Sequence, residues 1–202
     1  MQAKKQTIEA WCDALSSKAP VPGGGGVAAM LGALAACLAS MVGHLTEGKK
    51  GYESFDEQCA QLNGQALQLA NRLLGLIDAD AAAFKALMDT WKKGSGDEDY
   101  IAACGPSVQT VSEVSSVLDL LESLEKYGNR NVQSDVGIGA ACALAALSSA
   151  RINILVNVQF MSSEEKRASL APLLEDDIPE ESQRARAIIS RVEEELTADE
   201  RS

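Results

Sequence analysis

The chain has 202 residues, of which 18 are Lys or Arg and 29 are Asp or Glu, so its formal net charge is −11. This length is typical of one domain around one core, which we expect to span residues 1–202, and the acidic balance leaves no excess of positive charge for binding a nucleic acid. Apolar residues make up 46% of the chain and aromatic residues only 4%, and because the apolar residues are mainly Ala and Leu, the composition favours packed helices over sheets.

The first predicted elements are a short helix, a proline-containing loop and a long apolar helix. Apolar residues recur at helical spacing within residues 3–17, and the prolines in residues 18–22 end that helix because a residue before proline is pushed out of the α region. Residues 27–45 contain no Lys, Arg, Asp or Glu. They are rich in small residues and lack an aromatic belt, so we expect a central helix of a bundle and no membrane partner.

A very long helix is predicted next, from residue 53 to 91, with apolar residues on one side and glutamines on the other. Gly64 and Gly75 are the positions at which we expect it to bend. After a glycine-containing linker, Asp97 is placed to cap another long helix, which Pro106 should kink near its start. Both helices are therefore expected to be long and partly kinked.

Residues 136–160 predict a second central helix, almost wholly apolar in its first half. A helix near residues 164–174 follows, then a break at residues 176–179 and a charged amphipathic helix to about Leu196. These elements together predict an all-α fold: a single-domain up-and-down helical bundle with long, partly kinked helices.

Cysteine and histidine limit the chemistry. The five cysteines are widely spaced and include no Cys-x-x-Cys pair, which indicates free thiols in a reducing compartment, and we expect a cytoplasmic protein with no secretory signal. The single histidine, His44, excludes a His-rich zinc site, and no metal site is predicted.

Two features flank the first central helix. Four glycines, Gly23–Gly26, precede it, and amides without side chains can point at an anion with the helix dipole behind them. Their spacing fits neither a Walker loop nor a dinucleotide fingerprint, so a hinge or a tight packing site is the alternative. Lys49 and Lys50 follow the helix, where they can either cap it or bind a ligand carboxylate.

Asp78 and Asp80 interrupt the apolar side of the very long helix. Because residues two apart point roughly 200° away from each other, the two carboxylates cannot share one pocket. Asp80 lies four residues after Leu76 and four before Phe84, on an apolar stripe, where loss of solvent would raise its pKa toward that of a general acid. A carboxylate on a solvated edge is the alternative.

Polar residues cluster at both ends of the second central helix. Those before it can cap the helix or hydrogen-bond a ligand. Those toward its end would be costly in a core unless they meet polar partners or face a cavity. The first group is Asn129, Asn131, Ser134 and Asp135, and the second is Arg151, Asn153 and Asn157.

Four short motifs occur in order along the chain, and together they are more specific than any one of them. They are Pro22-Gly23-Gly24-Gly25 with Val27-Ala28-Ala29, Gly48-Lys49-Lys50 with Tyr52, Asp78-Ala79-Asp80 with Ala83-Phe84, and Gly128-Asn129 with Ser134-Asp135. From about residue 5 to 197, the sequence resembles the cyclodeaminase/cyclohydrolase family. This family includes the C-terminal domain of formiminotransferase-cyclodeaminase and stand-alone methenyltetrahydrofolate cyclohydrolases.

The resemblance implies an all-helical homodimer that binds a folate in a cleft of the bundle, with Asp80 as the catalytic acid. The family usually has Ser after the three glycines, where this chain has Gly26, so the details of that loop are expected to differ. The residues expected to bind the substrate are Gly23, Gly24, Gly25, Lys49, Lys50, Asn129, Ser134 and Asp135.

The resemblance also implies chemistry at the one-carbon unit that bridges N5 and N10 of tetrahydrofolate. Because no formiminotransferase domain accompanies it, we expect a methenyltetrahydrofolate cyclohydrolase, which forms 10-formyltetrahydrofolate. One alternative is a formiminotetrahydrofolate cyclodeaminase, which releases ammonia; another is a non-catalytic folate-binding dimer, suggested by Gly26. Each reaction needs one proton delivered to a departing nitrogen, so no metal or redox cofactor is expected.

Overall fold

The computed structural model describes residues 2–91 and 93–199. Within these residues the structure is all-α, with long helices and no strand, so the predicted fold class is confirmed. The helices are α1 (Ile8–Leu15), α2 (Gly24–His44), α3 (Asp56–Trp91), α4 (Asp97–Tyr127), α5 (Gln133–Val158), α6 (Glu164–Pro172) and α7 (Ile178–Asp199).

Helix α2 lies at the centre of the bundle, packed against α3, α4 and α5. Its small residues allow this close approach. A Cβ on Gly32 would come within 2.8 Å of Val114 Cγ2 in α4 and 3.0 Å of Leu73 Cδ2 in α3. A glycine is therefore needed at the point where three helices meet.

Helices α2 and α5 run side by side in opposite directions. A Cβ on Gly24, at the start of α2, would lie 3.9 Å from Asn153 Oδ1 near the end of α5, and a Cβ on Gly139, near the start of α5, would lie 3.6 Å from Leu38 Cβ. The start of α2 therefore meets the end of α5. This pairing decides which residues can share a site.

The structure differs from the sequence prediction between α6 and α7. The predicted break at residues 176–179 is wrong: a π turn over Leu173–Asp177 joins the two helices, and the Ile178 amide donates to the Leu173 carbonyl five residues earlier. Leu174 and Ile178 are buried in the core, so packing favours continuation. A wider turn also suits Pro179, which has no amide hydrogen to donate.

Three smaller predictions concern α3 and α4. Helix α3 is continuous through Gly64 and Gly75, and α4 is continuous through Pro106. Asp97 does not cap its own helix; its carboxylate instead accepts hydrogen bonds from the Ser162 and Ser163 amides, both at 2.7 Å. It therefore ties the start of α4 to the start of α6.

One side of the bundle is apolar and open to solvent. Because α2 and α5 are neighbours, their outward side chains form a single surface that we call the α2–α5 face. The exposed members of the α2–α5 face are Leu34, Met41, Leu45, Ile138, Ile152 and Val156.

Two stretches, Gly24–His44 and Arg130–Val158, are long and apolar enough to cross a membrane, judged by length and composition alone. In the first of them, 61% of the most apolar window is buried inside the bundle.

Candidate active site

Asp80 lies inside the bundle, where α3 passes the first turn of α2. Its exposed fraction is only 8%. A Cβ on Gly25 would lie 1.9 Å from Asp80 Oδ1, so the carboxylate occupies the space that a side chain at position 25 would fill. Asp78 points elsewhere, and its Oδ1 accepts a hydrogen bond of 2.8 Å from the Ala3 amide.

A cavity opens beside Asp80 between the start of α2 and the end of α5. It has a volume of about 160 Å³ and is open to solvent at its mouth, so it encloses only part of a drug-sized ligand. Most of the wall is apolar, with a few polar groups. The lining residues are Pro20, Val21, Gly23, Gly24, Asp80, Phe84, Ala103, Asn153, Val156 and Asn157.

Asp80 is the only ionisable residue in this lining. Burial raises the pKa of its carboxyl group, and hydrogen bonds from the Gly26 amide and the Asn153 side chain partly offset this effect. The net pKa lies above the ordinary value of an aspartate. Asp80 therefore keeps a proton to higher pH than a surface aspartate and is able to act as an acid.

Asn153 and Asn157, which were not among the predicted binding residues, both belong to the cavity. Asn153 Nδ2 donates to Ser107 Oγ at 2.9 Å, and Asn157 Nδ2 donates to the Asn153 carbonyl at 2.8 Å. The sequence signal was their polarity on an apolar helix. Arg151 is instead exposed, and its Nε donates to the Leu174 carbonyl at 3.4 Å.

The remaining predicted residues gather at the other end of α2. Asn129 is buried there: its amide donates to Thr46 Oγ1 at 2.9 Å, its Nδ2 donates to the Leu45 carbonyl at 2.8 Å, and its Oδ1 accepts from Lys49 Nζ. Lys49 Nζ also lies 5.6 Å from the centre of the Tyr52 ring. These contacts join the segment after α2 to the turn before α5.

Three other predicted residues are at this end and less constrained. Lys50 and Ser134 are exposed, and Asp135 is half-buried in the first turn of α5. We refer to Lys49, Lys50, Asn129, Ser134 and Asp135 as the lysine-end cluster.

The two groups of predicted residues are far apart within the chain. Helix α2 has 21 residues, and at 1.5 Å per residue it separates its two ends by about 30 Å. Gly23, Gly24 and Gly25 lie beside Asp80, whereas the lysine-end cluster does not. The cause is the antiparallel pairing of α2 and α5, which places the start of α5 beside the end of α2. The binding role of the lysine-end cluster stays a prediction.

Metal-binding side chains do not converge in residues 2–91 and 93–199: no three His, Cys, Asp or Glu side chains are placed to hold an ion. The five cysteines are free thiols.

Comparison with known proteins identifies the family. The protein-family model described as formiminotransferase-cyclodeaminase matches residues 7–175 of the sequence, which is most of the chain. The chain belongs to the formiminotransferase-cyclodeaminase family. Its resemblance to this family, inferred from the four motifs, is therefore confirmed.

Two members of the family, both similar over most of the chain, carry different names. A methenyltetrahydrofolate cyclohydrolase of Methylorubrum extorquens is 35% identical over 188 residues, covering 85% of this chain and 90% of the relative. A formimidoyltransferase-cyclodeaminase of Gallus gallus is 26% identical, but the match covers 92% of this chain and only 37% of that protein.

A solved structure in the family supports the fold. The crystal structure of formiminotetrahydrofolate cyclodeaminase from Thermotoga maritima superposes with a TM-score of 0.86 at 26% identity, covering 94% of this chain and 98% of that one.

Gly26 stands where the family resemblance predicts a serine. A Cβ there would lie 3.5 Å from Ile77 Cγ2 and 3.9 Å from Asp80 Oδ2, which are ordinary contacts, so packing does not require a glycine at this position.

Proposed function

We propose that the protein is a methenyltetrahydrofolate cyclohydrolase, which hydrolyses 5,10-methenyltetrahydrofolate to 10-formyltetrahydrofolate. The observation that carries this proposal is Asp80, buried to 92% beside an open cavity, with a pKa above that of an ordinary aspartate. The 35% identical relative, which bears the name of this activity and is matched over 90% of its length, supports the choice of reaction.

In the proposed reaction, water attacks the carbon between N5 and N10 and releases one proton to solvent, which gives a neutral tetrahedral intermediate. Protonated Asp80 then delivers its proton to N5 as the carbon–N5 bond breaks. The intermediate's hydroxyl loses its proton as the formyl group forms on N10, and that proton restores Asp80. The net result is one water consumed and one proton released.

The electrostatics of the cavity suit a cationic substrate. The methenyl form carries a positive charge at the reacting centre, and the ionised fraction of Asp80 would attract it. The largely apolar wall, which includes Phe84 and Val156, suits a flat ring system. No electron is transferred in this reaction, so the proposal includes no redox cofactor, and because Asp80 supplies the proton to N5 it includes no metal step.

The test follows the near-ultraviolet absorbance of methenyltetrahydrofolate with and without the protein. Loss of the chromophore faster than the spontaneous rate, with 10-formyltetrahydrofolate as product, is the expected result. An unchanged rate at saturating protein would contradict the proposal. Binding of the folate without turnover would instead favour a non-catalytic folate-binding protein.

A cyclodeaminase is the second candidate, favoured by the cyclodeaminase crystal structure that superposes on 94% of the chain. In that reaction N10 attacks the formimino carbon of 5-formiminotetrahydrofolate and passes its proton to the formimino nitrogen, and a proton from Asp80 would let that nitrogen leave as ammonia. Supplying this substrate distinguishes the two activities, because the deaminase produces the methenyl chromophore and the cyclohydrolase removes it.

We also propose that the protein is a homodimer that forms through the α2–α5 face. This face is apolar, and its α2 half belongs to a stretch without charged residues. An antiparallel arrangement of the two α2 helices would pair opposite ends of their dipoles. It would also bring the partner subunit's Lys50 toward the cavity that holds Asp80, where an ammonium could bind the glutamate tail of a folate.

The remaining proposals concern location and other partners. The five free cysteines support a reducing, cytoplasmic compartment. The net charge of −11 disfavours nucleic acid as a partner, and covering of the α2–α5 face by a second subunit would leave no surface for a membrane.

A further inference from the structure

The Asn153 side chain, on α5, is anchored to a residue of the neighbouring helix α4 that lies outside the cavity lining. Its Nδ2 group donates to Ser107 Oγ at 2.9 Å, and Ser107 is 1% exposed, so this bond is shielded from water. The Ser107 hydroxyl accepts this hydrogen bond and anchors the side chain to α4, but a hydroxyl can also donate, so it does not by itself select one end of the amide. The ionised Asp80 carboxylate only accepts hydrogen bonds, so its bond with Asn153 selects the Nδ2 end.

The same amide group also faces Asp80. A Cβ on Gly25 would lie 2.8 Å from Asn153 Nδ2 and 1.9 Å from Asp80 Oδ1, so both atoms border one small space. The two hydrogens of Nδ2 can therefore serve Ser107 and Asp80 together. With both directed into the protein, Oδ1 is the atom left toward the cavity lining at Gly24, where an added Cβ would lie 3.9 Å from it.

We propose that Asn153, anchored by Ser107, positions both reacting groups: its Nδ2 group holds the Asp80 carboxyl, and its Oδ1 atom accepts a hydrogen bond from the attacking water. This inference rests on the proposed cyclohydrolase function and assigns the second polar group of that reaction. A carbonyl oxygen accepts a hydrogen bond and releases no proton, so it directs the water without competing with Asp80 as the acid. Ser107 does not touch the substrate and is a positioning residue.

No other charge near Asp80 obscures the test. The lining from α2, α4, α5 and the loop before α2 includes no further ionisable side chain. Behind the lining, the Cys104 thiol of α4 donates to the Ile154 carbonyl, and burial raises its pKa to about 11, so it stays neutral near pH 7. A shift of the Asp80 pKa in an Asn153 variant therefore reports the loss of the Asn153 hydrogen bond.

The experiment is a double-mutant cycle with Ser107→Ala, Asn153→Ala and the pair, measured as kcat/KM on methenyltetrahydrofolate and as kcat across pH. We expect Asn153→Ala to lower kcat/KM about 10- to 100-fold and Ser107→Ala about 3- to 10-fold. If Ser107 acts through Asn153, the double variant loses no more than Asn153→Ala. Ser116→Ala is the matched control, because its hydroxyl on α4 bonds only the Ser112 carbonyl, at 3.3 Å.

The pH profile separates positioning from a general loss of structure. A donor to the carboxylate stabilises the ionised form, so Asn153→Ala should raise the Asp80 pKa and move the alkaline fall of kcat to higher pH. Asn153→Asp is nearly isosteric and still able to bond Ser107, and it should move this fall further because a second carboxylate repels the first. If Asn153→Ala fails to fold, Asn153→Asp provides the pH test in its place.

Two results would overturn the inference while leaving the proposed function intact: an active wild type with Asn153 variants of unchanged rate and pH profile, or a double variant whose loss is the product of the single losses. An inactive wild type would instead count against the proposed function. The two failures are therefore distinguishable.

Discussion

At the scale of single residues, the site depends on Gly25 having no side chain, because the Asp80 carboxyl group lies in the space that a side chain there would fill. The carboxyl oxygen occupies the position that a side chain on the first turn of α2 would take, 1.9 Å from it. That turn also supplies the Gly26 amide, whose hydrogen bond lowers the pKa of Asp80 against the larger effect of burial. The missing side chain at position 25 thus makes room for a buried acid.

Replacing this acid tests its role directly. Asp80→Asn is nearly isosteric but has no carboxyl proton, so turnover should fall by about 100-fold or more, while folate binding, measured by equilibrium titration, should be largely retained. A variant with wild-type turnover would assign the proton to another group. Asp78→Asn is a useful comparison, because that carboxylate bonds the Ala3 amide outside the cavity.

The raised pKa of Asp80 also makes a prediction about stability. Since the folded protein holds this proton more tightly than the unfolded chain, the folded state binds more protons between the two pKa values, and stability falls as pH rises through that window. Above it, ionised Asp80 destabilises the fold. Urea unfolding of wild type and Asp80→Asn at a series of pH values should therefore show a relative gain for the variant as pH rises. A constant difference would contradict the raised pKa.

At the scale of helices, the sequence predicts most of what builds the bundle. The uncharged run at residues 27–45 and the apolar run from 136 mark the two central helices, because side chains that are mostly apolar favour burial in a core. The join between α6 and α7 was not predictable in this way. Local sequence favours a break there, and the burial of Leu174 and Ile178, which depends on the rest of the fold, overrides it.

The candidate site was predictable only in part, for the same reason. Helical spacing around Asp80 places it on an apolar side of its own helix. Its contact with Asn153 depends on the antiparallel pairing of α2 and α5, which no local pattern contains. The position of the lysine-end cluster at the other end of α2, about 30 Å along that helix, follows from the same pairing.

Replacement by alanine should change stability in opposite directions at Gly32 and Gly64, because only Gly32 is tightly packed. Gly32→Ala would place its Cβ 2.8 Å from Val114, so we expect a loss of about 1–3 kcal/mol in the free energy of unfolding. Gly64 in α3 has nothing within 4 Å of a Cβ, so Gly64→Ala should add about 0.5–1 kcal/mol by favouring the helix. Denaturant unfolding measures both, and equal signs would contradict the packing of α2 at Gly32.

At the scale of the whole molecule, the single chain leaves the apolar α2–α5 face uncovered and places the lysine-end cluster far from Asp80. One dimer arrangement would cover the apolar face and bring the two groups of predicted residues together. If the α2–α5 face covers its copy with the α2 helices antiparallel, each cavity lies toward the partner's lysine-end cluster. Lys50 is the better probe of that cluster, because Lys49 is engaged by Asn129 and its loss would also disturb the turn before α5.

Mixing two damaged variants tests this arrangement. Lys50→Glu should raise the KM for polyglutamylated folate more than for the monoglutamate, and Asp80→Asn should lower turnover by about 100-fold or more. When equal amounts are unfolded and refolded together, half of the dimers are mixed and each has one intact site, so about a quarter of the wild-type activity should return at low substrate. Adding Ile152→Glu to both variants charges the α2–α5 face and should prevent this recovery. Activity equal to the mean of the separate variants would show that each site is formed by one subunit alone.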